Sequence, residues 1–245
     1  MPVIEILIWV GLVVFITHTL EAVTGFGCTV LAFPFVIFLM KDLEKAKIVL
    51  SILAWMLALY FVITQLKYIH WKQFRIIILF AGIGFPIGMY LFKSLDAGVL
   101  TKMLGCFIVL SAGIQLYKSF APSSGRGKLP PFAGYAFLLT GGIVHGAFAV
   151  GGPLIVLYST REISDKGQFR ATMCLLWTTL NTILIVQYFL EKKMTAEIGQ
   201  DVLFLLPFLS AGIVAGEWIH KKVNEVLFKK IVFISLLLVG IIMVI

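Results

Sequence analysis

Glu21 is a carboxylate inside an apolar run, with His18 about one helical turn before it and Gly25 one turn after it. Spacings of three and four put these residues on one helical face. Ionisable side chains within membrane helices are costly and usually face a cavity or a partner, so His18 and Glu21 form the candidate pair for carrying a coupling proton. The plainer reading places Glu21 near the end of its span, within reach of headgroups or of a lysine. A break stands beside the pair: Gly25-Phe26-Gly27-Cys28 interrupts the apolar run, and a short apolar segment, residues 29–40, follows. The arrangement returns about 126 residues later, where Gly151-Gly152-Pro153 leads into residues 154–160.

Where a helix unwinds in lipid, its freed N–H and C=O groups must find partners in the protein or a ligand. The amides that open each short helix, at its positive dipole end, suit an anion. Glycine admits a positive φ and a close approach by ligand, and Pro153 fits the first turn of a restarted helix. The expected substrate site is therefore Gly25, Phe26, Gly27 and Cys28 together with Gly151, Gly152 and Pro153. Arg170 is followed by Cys174, Thr178 and Asn181 at spacings of four, four and three, which makes one semi-polar helical stripe. Arg170 and Asn181 are expected to reach the anion from that stripe. His145 joins them, since it precedes Gly152 by seven residues as His18 precedes Gly25.

Lys47, at the head of the equivalent segment, is expected to be a topology anchor that snorkels to the interface. Cys28, Cys106 and Cys174 lie in apolar runs with no CxxC spacing, as packing residues do. No nucleophile–base set, Walker-type loop, metal-ligand cluster or dinucleotide fingerprint occurs. Neither an enzyme nor a bound metal or cofactor is expected.

These residues need a scaffold, and the composition names it. Of the 245 residues 60% are hydrophobic, with a mean hydropathy of +1.05, which leaves too little polar surface to coat a soluble globule. Apolar runs fall at 4–24, 29–40, 48–65, 74–92, 99–117, 132–150, 153–160, 171–190, 202–219 and 228–245. A bilayer core takes about 20 apolar residues per helix, so the second and seventh runs are short. Short or broken helices at matching places in two halves point to the binding site of a secondary transporter. Residues 1–14 lack a basic n-region and a small-residue cleavage site, and they are expected to begin the first membrane helix.

The polar link 119–130 separates a first repeat, 1–118, from a second, 131–245. Gly84 and Gly88 recur 128 residues on as Gly212 and Gly216, and Lys102 recurs as Lys230. The GxxxG pairs are expected to be helix-packing faces. The expected fold is all-α and polytopic, with two inverted repeats that each hold one broken helix pair. The net charge of +8 does not point to nucleic acid, because the twenty Lys and Arg crowd into links between apolar runs. If every run crosses, thirteen of them fall on one side, which the positive-inside rule makes cytoplasmic. Re-entrant short runs would instead give twelve on that side and make the halves parallel.

Several short motifs occur in order: Gly25-Phe26-Gly27 with Pro34, Pro86-x-Gly88 before Leu95-Asp96, Gly151-Gly152-Pro153 before Leu157-Tyr158, and Phe169-Arg170-Ala171-Thr172 with Asn181. On these the chain resembles the sulfite-exporter-like TauE/SafE family over nearly its whole length. His18 and Glu21 lie outside the motifs that carry the resemblance. The resemblance implies a duplicated helical carrier of the plasma (inner) membrane that moves sulfite, sulfonates and similar anions. The expected function is a multi-pass secondary transporter, an exporter of small organosulfur anions by alternating access. Its expected partners are the anion, a coupling proton and the bilayer; a homodimer is compatible and nucleic acid is not expected. A non-transporting membrane subunit or an anion channel are the alternatives the residues leave open.

Overall fold

Residues 3–120 and 131–220, with Leu237 and Ile241 beyond them, are described by the computed structural model. The rest of the tenth apolar run and most of the polar link, Lys230 with them, lie outside the described residues. The helices are α1 (Val3–Thr24), α2 (Cys28–Met40), α3 (Leu43–Gln65), α4 (Trp71–Ser94), α5 (Ala97–Phe120), α6 (Pro131–Phe148), α7 (Gly152–Glu162), α8 (Lys166–Leu190) and α9 (Ala196–His220). A 3-10 turn, Leu66–Tyr68, follows α3, and no strand occurs among the described residues. Among these residues α1, α3, α4, α8 and α9 are long and apolar enough to cross a bilayer.

Local chemistry sets the ends. Lys41 closes α2 in the left-handed region, its N–H donating to Ile37 O, and Asp42 then opens α3 by accepting the Lys45 N–H at 2.9 Å. Asp165 opens α8 in the same way, accepting from the Gln168 N–H at 2.8 Å. A short polar side chain at this position satisfies one of the orphan donors of the first turn. Both helices therefore begin several residues before their apolar runs.

The long helices pair across the two halves. α4 runs along α6, α9 along α1, and α3 along α8. Glycines make the first two pairings. A Cβ at Gly84 or Gly88 would strike the carbonyls of Leu139 or Ile143, and one at Gly142 or Gly146 those of Ala81 or Phe85. Gly216 meets Ala22, and a Cβ at Gly212 would lie 3.0 Å from Phe15 O. Lipid gives no hydrophobic reward for burying leucine, so close backbone approach is what holds such helices together. The fourth helix of each half thus rests on the first helix of the other.

Ion pairs tie one end of the bundle. Lys45 lies 2.6 Å from Glu197 and 2.8 Å from Asp201, while Lys193 bridges Glu44 and Glu191, and Lys93 also reaches Glu191. Large apolar side chains such as Ile4, Phe38, Tyr90 and Leu203 point outward, where a bilayer would meet them.

Candidate functional site

Both expected breaks are present, and they are built differently. α1 ends at Thr24, after which Gly25 at φ 84° and Gly27 at φ 106° turn the chain before Cys28 starts α2. Such angles suit glycine, which has no Cβ to strain. α6 ends at Phe148, and here the left-handed residue is Ala149, at φ 59°. Neither glycine of the second break therefore supplies the positive φ expected of it. Gly151 lets the chain press against the Gly141 carbonyl oxygen, and Gly152 leaves open space. Pro153 sits in the first turn of α7, as expected.

The two breaks meet at one cavity of about 20 Å³. Gly27 and Thr29 border it from the first break, and Ala149 and Gly152 from the second. A Cβ at Gly27 would meet nothing within 4 Å, and one at Gly152 only the Trp177 ring, at 3.9 Å. Three polar side chains complete the wall: Glu21 from α1, His145 from α6 and Asn181 from α8. Glu21 Oε2 accepts the Cys28 N–H at 2.8 Å, so the carboxyl caps the start of α2. His145 Nε2 lies 3.1 Å from Asn181 Oδ1, and the imidazole stacks on Trp177 with ring centroids 5.3 Å apart. With Oδ1 accepting, the Asn181 amide nitrogen is left to donate elsewhere. His145 Nδ1 is buried without a partner.

The remaining expected site residues stand behind this wall. Gly25 packs under Arg170 and its carbonyl accepts from Trp177 Nε1 at 3.0 Å. Phe26 meets Phe169 edge-on, with centroids 6.2 Å apart. His18 is buried and its Nδ1 lies 2.9 Å from Val14 O, away from the cavity lining. Cys28 contributes its amide, to Glu21 alone. Trp177 is the contributor that residue-type reasoning missed. Its spacing of four before Asn181 on one helix was the available signal.

Arg170 does not line the cavity. Its guanidinium donates to Ala22 O at 2.9 Å and to Gln65 Oε1 at 3.3 Å, and it lies 4.7 Å from the centre of the Phe61 ring. Ala22 is in the last turn of α1, so this cation meets the negative end of a broken helix. Lys47 does the same for α6. It is 3% exposed, not snorkelled, and its Nζ donates to Gly146 O at 3.0 Å while lying 3.8 Å from the centre of the Phe92 ring. Each broken helix thus ends on a cation supplied by the central helix of the other half.

Long lipid-compatible helices, broken helices meeting at a buried polar cavity and glycine-mediated packing define a multi-pass integral membrane protein. The chain belongs to the sulfite exporter TauE/SafE family, whose model matches residues 10–243. That family is one of membrane transporters, and transport is the function that membership assigns. No curated protein and no solved structure matches the chain.

Proposed function

We propose that the protein is a secondary carrier of the plasma membrane that exports small organosulfur anions, sulfite or sulfonates, by alternating access. The observation that carries this reading is that one cavity is bordered by both helix breaks. The amides that begin α7 and the Asn181 amide nitrogen are the donors an oxyanion would meet there. The halves are inverted repeats in this reading, and one rocks against the other across the α4–α6 and α9–α1 seams. A proton gradient drives the cycle, with Glu21 the cavity's own ionisable acid. Arg170 and Lys47 hold the broken helices and do not bind the anion.

At about 20 Å³ the cavity holds little more than one water-sized group, so the breaks must part to admit sulfite. Reconstituted protein should show saturable, counterflow-capable sulfite or sulfonate flux, reduced at least tenfold in Asn181→Ala, which removes one donor from a dry site. Ohmic current without counterflow would make it a channel. Absence of flux for every sulfur anion would leave a non-transporting membrane subunit.

A further inference from the structure

Glu21 reaches from α1 to the start of α2, where it takes up the Cys28 amide. One of the two helix beginnings at the cavity therefore already holds a carboxyl belonging to the protein. The corresponding position in the second half, 127 residues on, is Phe148, and α7 starts without any side-chain cap. The cavity thus has a carboxyl-capped side and a second side, where Gly152 opens α7 and the Asn181 amide nitrogen is free to donate beside His145. His145 Nδ1, buried and unpartnered, marks that second side as incomplete without a guest. An oxyanion bound there faces Glu21 across a cavity of about 20 Å³. Two like charges so close, one of them on a buried carboxyl, repel strongly, whereas one proton between them makes a charge-assisted hydrogen bond.

We propose that this site binds an oxyanion only with one proton shared between the ligand and Glu21, so that each anion brings one proton with it. Hydrogen sulfite and an aprotic sulfonate are both monoanions, so in each case the shared proton is the one Glu21 carries, and the pair holds one negative charge. This deepens the carrier reading and rests on it: the site selects monoanions, each of which meets its proton on Glu21. The ionisable groups around Glu21 come from four elements. His18 shares its helix, Cys28 begins α2, His145 is on α6, and Cys174 and Arg170 are on α8. The ionisable residues of α3 (Glu44, Lys45, Lys47 and Tyr60) and of α9 (Glu197, Asp201, Glu217 and His220) lie toward the ends of those helices. Arg170 and Lys47 are engaged by Ala22 O and Gly146 O, and neither forms an ion pair with Glu21.

Methanesulfonate, which carries no proton of its own at these pH values, tests the idea on the full chain in detergent. Its affinity for the wild-type protein, measured by calorimetry from about pH 5 to about pH 9, should fall by up to about tenfold per pH unit once free Glu21 ionises. Glu21→Gln keeps an acceptor for the Cys28 amide and removes the charge, so it should bind with no such slope. A flat wild-type profile, or a slope that survives in Glu21→Gln, would overturn the shared proton while leaving the carrier reading in place. No binding by either protein at any pH would remove the sulfur-anion site itself, and the proposal with it.

Discussion

Gly152→Ala tests the cavity with the least disturbance to the fold. A Cβ at Gly152 would meet only the Trp177 ring, at 3.9 Å, and the residue opens α7, where alanine is a good helix former. The same change one residue earlier is a different experiment. A Cβ at Gly151 would run into the Gly141 carbonyl and come within 2.7 Å of His145 Cβ. Overpacking of that kind costs about 1–3 kcal/mol. Gly152→Ala should therefore unfold at the wild-type temperature, while Gly151→Ala unfolds earlier. For the ligand the order reverses. The new methyl enters a cavity of about 20 Å³ and takes space that a guest needs. One methylene in a fitted pocket is worth about 1–3 kcal/mol, or roughly 10- to 200-fold. Thermal unfolding in detergent and sulfite or methanesulfonate binding on the same samples read both effects. A Gly152→Ala protein that folds normally and binds like wild type would refute the assignment of this cavity as the site.

Two further changes separate holding residues from binding ones. Arg170→Gln removes the charged hydrogen bond to Ala22 O, which should cost about 1.5–3 kcal/mol of stability and leave the anion affinity of the folded fraction unchanged. An affinity loss at full stability would make Arg170 a ligand after all. Outside the membrane helices, partial burial favours the protonated form of Glu191, but hydrogen bonds from Lys93, Gln187 and Lys193 outweigh it and hold its carboxyl at about 2. That lies below the unfolded value of about 4.3, so the stabilisation is full above that pH and is lost as pH falls through about 2. Glu191→Gln should lower the unfolding temperature at neutral pH, with the gap to wild type closing on acidification. A gap that stayed constant across that range would show that the ion pairs contribute nothing.

The breaks were legible because two independent signals coincide there: runs too short to span, and small residues where a helix cannot continue unaided. Their starting residues came out within one or two positions, at Cys28 and Gly152. The true starts of α3 and α8 were hidden by charge. Lys45 and Lys47 look like the polar flank of an apolar run, yet Asp42 caps the helix before them, and Lys45 is held by Glu197 and Asp201. The GxxxG faces were legible as packing surfaces, but not as surfaces for the other half, since a motif names no partner. The same limit misplaced Arg170 and Lys47. A basic residue near a helix start reads as an anchor or an anion ligand, and what decides is a carbonyl 148 or 99 residues away in sequence. At the second break the glycines drew attention from Ala149, whose left-handed backbone has no signature in residue type.

The two halves pair alike in the scaffold and differ at the site. Corresponding helices pair reciprocally, and each central helix sends a cation to the carbonyl end of the other half's broken helix. That leaves the amide ends of α2 and α7 as the uncompensated poles, both at the cavity. Symmetry would then offer an anion two equal beds. Glu21 removes one of them by lying in it, and Phe148 at the matching position removes nothing. The cavity is therefore polar in direction, with an acid on one wall and donors on the other. The groups that set this polarity are bonded across the interface between halves, through Arg170 to Ala22, Lys47 to Gly146, and Trp177 to Gly25. Any displacement of one half against the other must stretch or exchange those bonds. In the proposed carrier cycle the same displacement would shift the helix ends that face the guest, and so change access and affinity in one movement.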